Sequence, residues 1–151
     1  PVSAFIPEGY LADPHQRLSL YKRLTACNQV GELALLHGEI QDLYGHPPEP
    51  VERLLEVMQL RIHAKRLRLV SVEVHHTSVT VSFSPKATVS DKSVNRLMDR
   101  LKKRLRFLSP LSFQIQFPSE SWPAMFSELN TTLQSLSLCD TNTTGKDAAG
   151  L

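Results

Sequence analysis

The sequence predicts an α+β fold, with helices first and then a small antiparallel sheet packed with two further helices. Two observations carry this. Up to about Ile62 the apolar residues recur at three- and four-residue spacing, and from Leu69 onward short stretches alternate apolar and polar. A third sets the scale: 151 residues are enough for one domain with its own core, but not comfortably for two. The expected organisation is one domain over 1–139 and a disordered tail over 140–151, where "DTNTTGKDAAGL" shows no periodicity.

"SAFIP" reads as a short edge strand stopped by Pro7. "DPHQRLSLYKRLTAC" reads as a helix, with Asp13 as cap, Pro14 at its first position and Gln16 at capping-box spacing. "GELALLHGEIQDLYG" is a second helix, whose apolar stripe is Leu33, Leu36, Ile40 and Leu43 and whose stop is Gly45. After the rigid "HPPEP" connector, a third helix starts near Pro50 and buries Val51, Leu54, Leu55, Met58 and Ile62. The period then changes. Val70, Val72 and Val74 share one face of a strand, Val79, Val81 and Phe83 share one face of the next, and the short link between them predicts a hairpin. Ser90 caps a fourth helix with the stripe Val94, Leu97, Met98, Leu101, Leu105 and Leu108. Leu111, Phe113, Ile115 and Phe117 make a third strand, and Trp122, Met125, Phe126, Leu129, Leu133 and Leu136 a last helix.

The composition is that of an ordinary soluble chain: 41% hydrophobic, 21% charged, net charge +2. No stretch approaches the ~18 consecutive apolar residues of a membrane span, and the start lacks the basic and apolar regions of a signal peptide. A cytoplasmic location and no membrane partner are expected. The first residue is not Met, so the chain reads as a piece of a longer protein. Cys27 and Cys139 lie far apart and read as free thiols.

The search for chemistry returns little. A phosphate-binding loop needs closely spaced glycines, and "TGKD" lacks both the first glycine and the preceding strand. No HExxH or CxxC gathers metal ligands, and adjacent His75 and His76 point to opposite faces of a strand. No GxSxG places a serine beside a base. No catalytic residue, metal ligand or cofactor is expected.

Two surfaces remain. Arg61, Lys65 and Arg66 in "RIHAKRLR", and Arg100 and Lys103 in "RLKKRLR", are candidate phosphate contacts of an accessory DNA- or RNA-binding domain. Cations at helix C-terminal ends are also favoured by the backbone dipole, and no aromatic residues interleave here as a stacking platform. On the second helix, Glu32, Glu39 and Asp42 fall opposite the apolar stripe with Leu35 among them. An acidic face around one exposed leucine suits a basic docking partner, and a solubilising face with one stray leucine accounts for the same pattern. Asp42 opposes the helix dipole, so helix stability does not explain it.

Longer stretches carry a resemblance. "IPEGYLADPHQRLSLYKRL", "GEIQDLYGHPPEPVERLLEVMQLRIHAKRL" and "SVEV" resemble the C-terminal domain of the bacterial transcription-repair coupling factors over about the first half of the chain. The matching positions are Ile6, Pro7 and Tyr10; Arg17, Leu18, Tyr21, Lys22 and Arg23; Glu39, Asp42 and Gly45; Pro48 and Pro50. The chain departs from the pattern at Leu43, where an arginine is expected, at Tyr44 in place of phenylalanine, and at Arg68 in place of the glycine of "LGI", which suggests a different turn there. The resemblance implies that the parent chain is an ATP-driven DNA translocase that engages stalled RNA polymerase and recruits UvrA. It implies that this domain is regulatory and non-catalytic, packs on a UvrB-like N-terminal module of the same protein, covers the UvrA-binding surface of that module and restrains the motor. Glu39 and Asp42 are the carried-over contact positions.

Overall fold

The computed structural model describes residues 3–139, so the tail expected over 140–151 lies outside the described residues. The described chain is α+β, as expected: three helices, then a four-stranded antiparallel sheet with two helices interspersed. It divides into two compact units between His63 and Ala64.

The first unit holds α1 (Pro14–Ala26), α2 (Val30–Tyr44) and most of α3 (Glu49–Arg66). Asp13 caps α1 by accepting from the His15 N–H at 2.9 Å, and Gln16 lines a hollow between α1 and α2. "SAFIP" forms no strand. Phe5 N–H donates to the Pro50 carbonyl and Ile6 N–H to the Tyr21 hydroxyl, which leaves the segment as a tie with Ile6 buried. Leu33, Leu36 and Ile40 of α2 meet Leu20 and Leu24 of α1 and Val51, Leu54 and Leu55 of α3 in one apolar cluster. The expected stripe fails at its end, where Leu43 is 62% exposed. Tyr44, about three full turns on from Leu33, takes the inward place. It packs edge-on against Tyr10, with centroids 6.1 Å apart, and the Tyr10 hydroxyl donates to the Gly45 carbonyl. Gly45, at φ +85°, turns the chain out of α2 in a conformation that favours glycine.

The second unit holds β1 (Leu69–His75), β2 (Ser78–Phe83), α4 (Asp91–Leu101), a 3-10 turn (Lys102–Arg104), β3 (Leu105–Ser109), β4 (Ser112–Gln116) and α5 (Trp122–Ser135), with sheet order β1-β2-β4-β3. The register pairs Val81 with Phe113 and Val79 with Ile115, so their side chains share one face. Those four are buried, as are Leu97 and Leu101 of α4 and Met125, Leu129 and Leu133 of α5. Two sequence expectations fail here. Val70 and Val74 do not lie on a buried face; they are 68% and 43% exposed. β1 is an edge strand, and a bulge between Leu69 and Ser71 breaks its alternation. Leu105 and Leu108 do not extend the α4 stripe. The helix stops at Leu101, Lys102 takes φ +50°, and Leu105 enters β3, where Leu105 pairs with Ile115 and Phe107 with Phe113. Without β3 the backbone of β4 would be an unpaired edge.

Arg68, which stands where the coupling-factor pattern has glycine, adopts φ +55°. The departure is therefore one of residue type, since the backbone there is one that glycine favours. Left-handed backbone costs a side-chain-bearing residue about 1–2 kcal/mol, and glycine loses about 0.5–1 kcal/mol in extra unfolded-state freedom. Arg68→Gly is thus expected to stabilise the chain by about 0.5–1 kcal/mol, read as a higher urea midpoint at unchanged slope. The reassigned end of α2 gives a second expectation. Ile40→Ala should cost about 2–5 kcal/mol by urea unfolding, whereas Leu43→Ala, three residues on, should change stability by less than about 0.5 kcal/mol.

Candidate functional site

Burial of the α2 stripe turns Glu32, Leu35, Glu39 and Asp42 away from the apolar cluster. Leu35 is 79% exposed, the most exposed of the large apolar side chains described. Glu32 accepts from the Asn28 N–H at 2.9 Å, which ties down the start of the helix. Asp42 is exposed and makes no ion pair among the described residues. Glu39 is engaged. Arg23 of α1 reaches across and donates Nη1 to Oε1 at 3.0 Å and Nη2 to Oε2 at 2.5 Å, a two-pronged pair whose side chains are 51% and 43% exposed. The hydrogen bonds from Arg23 hold the Glu39 carboxyl below the usual carboxylate range, and the same bonds raise Arg23.

The pair stands between two hollows. One, of about 120 Å³, is lined by Leu20, Ile40, Leu43 and Tyr44 as well as the pair. The other, of about 380 Å³, is lined by Ala26, Cys27, Glu32, Leu35 and Leu36 as well as the pair. The four predicted residues are thus brought to one face, and Arg23 joins them. No spacing rule links Arg23 to Glu39, because the pair bridges two helices; the only sequence signal was the place of Arg23 in the "YKR" motif.

The predicted basic contacts are distributed over both units, with Arg61, Lys65 and Arg66 on the last turns of α3. Arg61 belongs to the first unit, and Lys65, Arg66, Arg100 and Lys103 to the second. Arg66 donates to the carbonyls of Leu133 (2.8 Å) and Leu136 (3.0 Å), closing the end of α5. Arg100 donates to the Thr132 hydroxyl, and Arg104 forks onto Glu128 of α5. Arg61, Lys65 and Lys103 are exposed. Charge is unevenly divided: residues 1–63 hold five Lys and Arg against eight Asp and Glu, whereas residues 64–139 hold eleven against five. Among the described residues no group of three His, Cys, Asp or Glu side chains is placed to hold a metal ion, and no helix is long and apolar enough to cross a membrane.

The family model for the TRCF domain matches residues 1–94. The transcription-repair-coupling factor of Myxococcus xanthus is 33% identical over 140 residues, 92% of this chain and 12% of that protein. Its counterpart in Haemophilus influenzae is 32% identical over 113 residues, 75% of this chain and 10% of that protein. This chain therefore spans about a tenth of the length of these curated relatives. A crystal structure of the C-terminal domain of a transcription-repair coupling factor superposes with a TM-score of 0.78 at 15% identity, covering 89% of this chain and 86% of that one, so the fold is shared. A family match across 1–94 and a relative one-third identical over nine-tenths of this chain show that this chain belongs to the TRCF domain family of the transcription-repair coupling factors.

Proposed function

We propose that this chain is the regulatory C-terminal domain of a coupling factor. In this reading it performs no chemistry and binds no cofactor. The α2 face docks on the UvrB-like N-terminal module of the same protein, masks the surface that recruits UvrA, and restrains the ATP-driven translocase until RNA polymerase is engaged on DNA. The setting is transcription-coupled nucleotide excision repair in the bacterial cytoplasm.

The observation that carries this reading is Leu35. A leucine 79% exposed, ringed by Glu32, Glu39 and Asp42 on the acidic unit of the chain, has no role in the core. A buried apolar contact with a charged rim is the usual anatomy of a docking site, and the surplus of acid selects a basic partner. Partly exposed charge pairs contribute about 1 kcal/mol each. Contacts of that size hold a tethered module and still yield to a competing partner, as a switch requires.

Basic residues 64–139 favour a second reading, contact with DNA or RNA through Lys103 and its exposed neighbours Lys102 and Arg106. Calorimetry separates the two. Docking predicts binding of the 151-residue chain to its cognate UvrB-like module. It also predicts a loss of about threefold to fivefold in Glu39→Gln/Asp42→Asn and in Leu35→Ala, with the chain still folded. Binding unaffected by all three substitutions, alongside a DNA affinity that falls steeply with salt, would replace docking with the nucleic-acid reading.

A further inference from the structure

The two carboxylates at the end of α2 are in different states. Asp42 is exposed with no cation on it among the described residues, while Glu39 has both oxygens on the Arg23 guanidinium. A carboxylate already held by a fork of two N–H groups is locally neutral and draws a second cation weakly. Neither side chain is locked in place, since each is about half exposed. Arg23 and Glu39 are also the two residues shared by the walls of both hollows, with Leu35 and Leu36 on one side and Leu43 and Ile40 on the other.

We propose that Arg23 is an internal competitor for Glu39: the basic partner first meets Asp42 and then takes Glu39 by exchanging its own guanidinium for that of Arg23. The proposal rests on the docking reading above and adds a regulation of the same face. The partner is a basic surface that presents an arginine next to an apolar side chain. The arginine completes the fork on Glu39, and the apolar group enters the hollow beside Leu35, whose wall Arg23 and Glu39 share. Arginine is specified over lysine because the Glu39 oxygens are already set for a planar fork, which an ammonium does not fill. Exchange conserves the number of charge pairs, so Glu39 adds little net affinity while Arg23 is present, and Asp42 adds a full pair. Docking is thereby held weak without loss of specificity.

The test is calorimetric binding of the 151-residue chain to the cognate UvrB-like module across a set of variants. Arg23→Gln should tighten binding about three- to fivefold, the scale of one released half-exposed ion pair. Arg23→Lys, which keeps the charge but not the fork, should tighten it less. The gain should vanish in Arg23→Gln/Glu39→Gln. With Arg23 in place, Asp42→Asn should weaken binding more than Glu39→Gln does; with Arg23→Gln, the two should weaken it alike. A fold control comes from the Glu39 carboxyl resonance. Its midpoint lies below the ordinary carboxylate range because Arg23 bonds to it, and it should rise in Arg23→Gln. The sign for stability follows from that lowered value. The pair supports the fold at neutral pH and loses its contribution as pH falls through the Glu39 midpoint, so parent and Arg23→Gln should converge in thermal midpoint in acid. Binding by the parent chain that Arg23→Gln weakens or leaves unchanged would overturn the exchange and leave the docking reading intact. Absence of binding by the parent chain would overturn both.

Discussion

Three apolar side chains on one side of α2 decide what its other side can do. Leu33, Leu36 and Ile40 are all but fully buried between α1 and α3. Burial of such side chains is worth about 1.5–3 kcal/mol each, several times the value of an exposed ion pair. The rotation of the helix about its axis is therefore set by the stripe, and the polar face has no say in it. Glu32, Leu35, Glu39 and Asp42 are held outward by a core they do not touch. The same stripe brings α1 alongside, which is why Arg23 comes within reach of Glu39 from sixteen residues away. The acidic face and its internal counter-charge are two consequences of one packing decision.

In the second unit, guanidinium groups close helix ends and tie helices together. Arg66 satisfies two carbonyls at the end of α5 that the helix itself leaves open. Arg100 and Arg104 bind Thr132 and Glu128 on α5 from the end of α4 and from the 3-10 turn after it. A basic run in sequence is thus split by the fold into side chains with structural employment and side chains left at the surface. Arginine takes the structural places because one planar fork can reach two acceptors, whereas a lysine offers a single point of charge. Lys102, Lys103 and Arg106 stay exposed, so the surplus of positive charge over residues 64–139 is carried mainly where solvent or an anionic partner can meet it.

The sequence showed those elements whose signal is local. Asp13 with Pro14 marks the start of α1, Gly45 marks the end of α2, and the alternation of Val79, Val81 and Phe83 marks a strand buried on one face. Legibility failed where a partner distant in sequence decides. Leu101 and Leu105 are four apart, a spacing that a helix or the step from a helix into a strand satisfies equally; pairing with β4 settles it. Val70 and Val74 alternate with polar residues in the sequence, but a bulge at Val70 in an edge strand interrupts that alternation in the fold and leaves both exposed. For the candidate site, the outward side of α2 was legible because helical periodicity fixes it. The occupancy of Glu39 was not, because it depends on which residue of α1 faces it.

Leu43 shows how such a face can change character without changing place. The coupling-factor pattern has an arginine here, next to Asp42; this chain has a leucine, 62% exposed, on the rim of the hollow that Glu39 and Arg23 also line. Tyr44 already fills the inward position, so the substitution does not disturb the core and acts on the surface alone. It removes a cation from beside Asp42, which has no ion pair among the described residues, and it adds apolar area next to Glu39. Attraction between exposed charges is screened over about 8–10 Å at physiological salt. The removal of apolar area from water is not screened. A contact built from Leu35, Leu43 and one unneutralised aspartate therefore draws more of its strength from burial, and less from salt-sensitive charge, than one that carries an arginine at position 43.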